Sequence, residues 1–172
     1  NLEDVRQDIL DVSNENLLKL ATNISLRINS TSNVDAALLA SLAKKYDVAE
    51  INIIDANGII TASTHTDFLD YDMRGGSQSA EFLVLLDGET KEYVQNYQPT
   101  SFDSSILRKY AGIVLDRGGF VQVAYDFERF KRDIDDAVIG ATRNRHVGEN
   151  GSIIIAGEDC RTSVPGIYAV GD

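Results

Sequence analysis

The chain has 172 residues, 43% of them hydrophobic and 25% charged, which is enough apolar content for one domain with a packed core. Its 27 acidic and 16 basic residues leave a formal charge of −11, and a surface that negative repels nucleic-acid backbones and anionic lipid. The single cysteine, Cys160, excludes an internal disulfide, and no apolar run approaches the roughly 20 residues of a membrane span.

Residues 2–29 carry a helical pattern. Leu2, Val5, Ile9 and Val12 repeat at three and four, and after Ser13-Asn14-Glu15-Asn16 the stripe resumes with Leu17, Leu20, Ile24 and Ile28. The first half is polar on most of its surface, as in a solvated helix with one core face or a stalk that pairs with a second copy. The start at Asn1, inside this pattern, is what a soluble piece of a longer membrane protein would show. Ser30-Thr31-Ser32-Asn33 ends the helix. Ser32 or Asn33 can cap the next one, where Asp35 favours the positive end and Leu38, Leu39, Leu42 and Tyr46 make an apolar face.

The segment Glu50-Ile-Asn-Ile-Ile-Asp-Ala-Asn-Gly-Ile-Ile60 reads as strand, tight turn and strand, with Asn57-Gly58 supplying the positive φ that the turn needs. Residues 63–76 form an irregular polar loop. It holds His65, Asp67, Asp70 and Asp72, but no Asp-x-Asp-x-Asp-Gly calcium pattern, and no metal is expected. Ser77 caps a helix with Phe82, Leu83, Leu85 and Leu86, which Gly88 terminates. Three strands follow, at 93–98, 109–115 and 120–125, with Asp116-Arg-Gly-Gly119 as the hairpin turn between the last two. Asp126 then caps a helix that runs from Phe127 past Ala141. Gly148-Glu-Asn-Gly151 breaks it, and Ser152–Ala156 is a further Ile-rich strand, a short echo of the first hairpin.

No Gly-x-Ser-x-Gly elbow is present, Cys160 has no His or Cys partner at motif spacing, and no catalytic residue is assigned. Asp133, Asp135 and Asp136 mix with Arg129, Lys131 and Arg132 as a solvated, ion-paired helix face.

The order helix, helix, hairpin, helix, three strands, linking helix resembles the membrane-distal unit of a Cache domain, a PAS-like sensor module of bacterial and archaeal receptors. The resemblance is carried by Ile51–Asp55 with Asn57-Gly58-Ile-Ile, by Tyr110–Leu115 and Gly119–Asp126, and by Gly148–Ile155. The last segment is similar to the opening strand of the membrane-proximal unit in double-Cache proteins. Ile139–Ala156 also looks like sensor regions attached to bacterial metal-dependent phosphatases and to histidine kinases. The resemblance covers residues 1–156. It implies an α+β fold: an antiparallel sheet flanked by a long N-terminal helix and short helices.

The expected organisation is a stalk-like helix at 1–31, a Cache unit at 32–130, and a linking helix with the start of a truncated proximal unit at 131–156. The tail 157–172 is similar to a flavin-contacting segment of thioredoxin-reductase-like oxidoreductases. The Gly-x-Gly-x-x-Gly turn that such a fold needs is absent, and no cofactor is expected.

The resemblance implies a non-enzymatic sensor on the extracytoplasmic face of the membrane, held by flanking segments and open to homodimer formation. Its ligand would be an organic acid, amino acid or amine lying between the sheet and the segments that cross it. Tyr71, Arg74, Tyr97, Tyr110, Tyr125 and Asp126 are the candidate ligand-binding residues. Asp126 matches the terminal Asp of the amino-acid-binding double-Cache modules, Arg74 offers a two-pronged grip on a carboxylate, and the tyrosines offer apolar walls with one hydrogen bond each.

Overall fold

The computed structural model describes residues 1–146, with side chains described to residue 140. The Ile-rich strand expected at 152–156 and the tail at 157–172 lie outside the described residues.

Helix α1 (Leu2–Asn29) leads into α2 (Ala36–Tyr46), and strands β1 (Glu50–Ile54) and β2 (Ile60–Ser63) follow as a hairpin. Short 3₁₀ turns at Thr66–Phe68 and Met73–Gly75, the one-turn helix α3 (Ser77–Ala80) and a 3₁₀ segment Glu81–Leu86 cross the sheet. Strands β3 (Glu92–Val94), β4 (Gln98–Pro99), β5 (Leu107–Val114) and β6 (Phe120–Tyr125) precede α4 (Phe127–His146). The sheet order is β2-β1-β6-β5-β3, every pairing is antiparallel, and β4 adds to β5 beside β3.

Alternation along the strands divides the core into two layers. Ile51, Ile53, Ala111, Val121, Val123 and Tyr125 face α1 and α2, meeting Leu17, Ala21, Ile24, Ile28, Leu39 and Leu42. Ile54, Tyr110, Phe120 and Ala124 face the other way, toward Phe68, Met73, Phe82 and Leu85 on the crossing segments. Both faces of β1 are therefore covered, and all five of its residues are buried.

The hairpin turns use their glycines as the sequence suggests. Gly58 takes φ +81° while the Asp55 carboxylate accepts from the Asn57 and Ile59 amides. The β5–β6 turn places both Gly118 and Gly119 at positive φ.

Four details differ from the sequence reading. The cap of α2 is Asp35, whose carboxylate accepts from the Leu38 amide, so neither Ser32 nor Asn33 is needed. The helix expected after Ser77 tightens into a 3₁₀ segment at Glu81. Its three-residue repeat sets Phe82 and Leu85 side by side on the sheet. They press against Gly112, where an added Cβ would lie 2.7 Å from Leu85 and 3.0 Å from Phe82. The strand expected at 93–98 is two short pieces, and between them the buried Gln95 side chain bonds across to Gln78 and Glu81. Finally, the apolar stripe in the first half of α1 is mostly uncovered: Leu2 is 86% exposed, and Ser13 is the first buried residue of the helix.

Candidate functional site

Beneath the crossing segments, the second face of the sheet carries polar residues where an ordinary core would be apolar. Glu50 and Asn52 on β1, Gln122 on β6 and Tyr110 on β5 are all buried. They form one bonded group. Asn52 Nδ2 donates to Glu50 Oε2 (2.7 Å) and to Gln122 Oε1 (3.1 Å), and Tyr110 Oη donates to Glu50 Oε2 (2.6 Å). Ser63 Oγ donates to Asn52 Oδ1 (2.6 Å), tying in β2. Arg108 Nε lies 3.5 Å from Glu50 Oε1 without forming a hydrogen bond, so that oxygen is buried and unbonded. Burial first, and the neighbouring Glu50 charge second, hold the Tyr110 phenol well above its ordinary pKa.

Asn52, Tyr110 and Gln122 of this group form the floor of a cavity. Ile60, Phe68, Tyr71 and Met73 wall it from the β2 side, Gln78 and Ser79 from α3, and Thr100 and Phe102 from the loop after β4. The roof is aromatic: Phe102 meets Phe68 edge-on at 4.5 Å and Tyr71 at 5.6 Å. Phe102 is 42% exposed and stands at the mouth. The enclosed space is about 20 Å³, room for about one water, so a guest must move the roof.

The wall is fixed by its own hydrogen bonds. Ser79 Oγ donates to the Met73 carbonyl (2.7 Å) and lies 3.2 Å from Tyr71 Oη. Gln78 Nε2 donates to Gln95 Oε1 (2.9 Å), and the Ser101 amide donates to Gln78 Oε1 (2.8 Å). Gly76 lets this loop approach, since a Cβ there would collide with Ser101.

Of the six candidate residues, the structure brings Tyr71 and Tyr110 to the cavity. Arg74 is exposed on the outer side of the loop, where its Nη1 donates to the Asn57 carbonyl and pairs with Asp72, both at 2.9 Å. Tyr97 stacks on Phe130 of α4, with ring centroids 5.0 Å apart. Tyr125 points into the α1 layer with the Arg129 guanidinium 4.5 Å from its ring centre. Asp126 caps α4 by accepting from the Arg129 amide. Asn52, Gln122, Gln78, Ser79, Thr100, Phe68 and Phe102 escaped the sequence reading. The available signal was a lone polar residue inside a buried strand: Asn52 among isoleucines, and Gln122 between two valines. Among the described residues no group of three or more His, Cys, Asp or Glu side chains could hold a metal ion.

A second buried polar group lies on the opposite face. Lys109 is fully buried next to Tyr110 in sequence but faces α1 and α4, where its Nζ donates to Ser13 Oγ (2.9 Å) and sits 5.5 Å from the Phe130 ring centre. Asn16 Nδ2 donates to Asp133 Oδ1 (3.1 Å), joining α1 to α4. Desolvation lowers the Lys109 pKa to about 8, against the pull of Asp133.

No protein-family model and no curated protein matches the chain. Solved structures do. An extracellular ligand binding receptor from Desulfohalobium retbaense DSM5692 is similar over 78% of this chain and 26% of its own, at 15% identity and a TM-score of 0.53. The E. coli DcuS sensor domain is similar over 74% of this chain and 98% of its own, at 16% identity and a TM-score of 0.48. The V. cholerae histidine kinase DctB sensor domain is similar over 77% and 56%, at 14% identity and a TM-score of 0.47. The chain spans about a quarter of the length of the receptor. The likeness to that receptor shows the fold alone, an α+β unit whose antiparallel sheet is flanked by a long N-terminal helix and short helices.

Proposed function

We propose that this chain is the extracytoplasmic small-molecule-sensing part of a transmembrane signalling protein, and that it binds rather than transforms its ligand. The observation that carries this reading is the cavity. A polar group of Glu50, Asn52, Tyr110 and Gln122 is built into a sheet face and roofed by a loop with an exposed aromatic residue at its mouth. Burying four polar side chains in a core costs stability unless each is bonded, and a plain scaffold would fill those positions with Ile or Val. One structural neighbour is an extracellular ligand binding receptor, which fits the same use.

A ligand favours whichever arrangement of loop and sheet it binds better. Strand β5 gives that bias a route outward: Tyr110 touches the cavity, while the adjacent Lys109 is bonded to α1 and packed on α4. These two helices would carry the bias toward the membrane. No helix among the described residues is itself long and apolar enough to cross one.

Thermal shift of the purified chain against amino acids, carboxylates and amines tests the proposal. At least one compound should raise the melting temperature saturably, and Gln122→Leu should reduce that rise. A flat response to the whole panel would remove the basis for a sensing cavity.

A further inference from the structure

We infer that the guest of this cavity is a small primary ammonium compound, recognised by oxygen acceptors, aromatic faces and the buried Glu50 carboxylate. The inference rests on the sensing role proposed above and adds the chemical class of the ligand.

Each hydroxyl proton of the cavity lining is already taken by a protein acceptor. Tyr110 donates its proton to Glu50, Thr100 to the Asp103 carbonyl at 2.9 Å, and Ser79 to the Met73 carbonyl. Ser79 has one proton, so in the 3.2 Å contact with Tyr71 the phenol is the donor. All four lining hydroxyls therefore give their protons to protein acceptors and have none left for a guest. Asn52 behaves likewise, with its Nδ2 bonded to Glu50 and Gln122. The side-chain donors left to the cavity are neutral amide protons on Gln122 and Gln78. A site of this polarity pairs with a guest that donates.

Charge points the same way. No Lys, Arg or His lines the cavity, so a carboxylate entering it would be desolvated without a counter-charge. Glu50 is fully buried behind the lining residues Tyr110 and Asn52, which donate to its Oε2, and its Oε1 lacks a hydrogen bond but is ion-paired with Arg108 at 3.5 Å. Phe68, Tyr71 and Phe102 line the cavity, and aromatic faces attract a cation. Arg74, the natural carboxylate grip, is held outside by Asp72 and the Asn57 carbonyl. Three neutral or negative surfaces thus converge, and an ammonium group satisfies each of them.

The test is calorimetric titration and thermal shift of the whole chain with ethylammonium, tetramethylammonium, acetate and acetamide at matched chloride. Ethylammonium should bind saturably and raise the melting temperature, tetramethylammonium should bind more weakly because it cannot donate, and acetate should do nothing. Glu50→Gln should weaken ethylammonium roughly tenfold, the loss expected for a partly screened buried charge. Should Glu50→Gln fail to fold, Phe102→Leu at the exposed mouth gives a second reading, with a loss of roughly two- to fivefold. Binding of acetate or acetamide in preference to ethylammonium overturns the ammonium assignment and leaves a sensing cavity in place. Ethylammonium binding that neither variant alters overturns the site. Silence from the whole set and from the wider panel above overturns the sensing role itself.

Discussion

At position 119 a methyl group would run into the carbonyl of Ile54, in the neighbouring hairpin, and the backbone there sits at φ +70°. Both facts demand glycine, and both come from the same cause: the β5–β6 turn lies against the β1–β2 turn. Gly119→Ala is expected to lose about 2–4 kcal/mol, the left-handed penalty plus the steric shift, as measured by urea denaturation. Gly88→Ala gives the contrast. It too has positive φ, +86°, but nothing lies within 4 Å of an added Cβ, so its loss should stay near 1–2 kcal/mol. On the cavity floor, Tyr110→Phe removes the 2.6 Å bond to Glu50 and leaves a buried carboxylate oxygen with one donor, Asn52. A loss of about 1–3 kcal/mol is expected in the same assay. Phe82→Ala, at a fully buried site packed on Gly112 and against Tyr93 (5.1 Å), should cost about 3–5 kcal/mol.

Among the elements, the strands and long helices were legible because their patterns repeat. The isoleucines of β1, the alternation of β6 and the Asp-Arg-Gly-Gly turn are local signals that burial then reinforces. The crossing segment was harder to read. A run such as Glu81–Leu86 holds helix-formers, but what decides its geometry is the bare patch at Gly112 on a strand thirty residues later, and no local window contains that. The site suffered most from this. Tyr71 and Tyr110 could be read as polar-tipped wall residues, yet Tyr125 carries the same side chain and faces the opposite layer. One residue of register separates the two faces. Asp126 follows the last strand as expected, but its carboxylate accepts from Arg129 at the start of α4, a role that the sequence reading also gave it. Between α1 and α4, the Asn16–Asp133 bond joins residues 117 apart, and Asp133 is only 3% exposed with Oδ2 unbonded. A double-mutant cycle of Asn16→Ala and Asp133→Ala should return a coupling of about 0.5–3 kcal/mol. Additivity would show that the two helices are tied by apolar packing alone.

For the molecule as a whole, Lys109 and the buried tyrosines Tyr110 and Tyr125 set opposite demands on stability at alkaline pH. Lys109 is buried with its pKa lowered to about 8, so in the unfolded chain it holds its proton to higher pH than in the folded one. Between about pH 8 and 10.5 the unfolded state therefore binds more protons, and stability rises with pH across that window. The groups facing Lys109 are Ser13 from α1, Phe130 and Asp133 from α4, and Tyr125 from β6. Tyr125 is pushed up to about 12 by burial, and Tyr110 is pushed up further by burial and by Glu50. Above pH 10 these phenols ionise first in the unfolded chain, the folded state then holds more protons, and stability falls. Urea midpoints measured across pH 7–11 should climb from pH 8, crest and drop. Lys109→Met removes the charge that the folded core disfavours, so its midpoints should lose the climb and keep the fall. A wild-type profile flat between pH 8 and 10 would mean that water reaches Lys109, and that the tie from β5 to α1 and α4 is looser than its 2.9 Å bond to Ser13 implies.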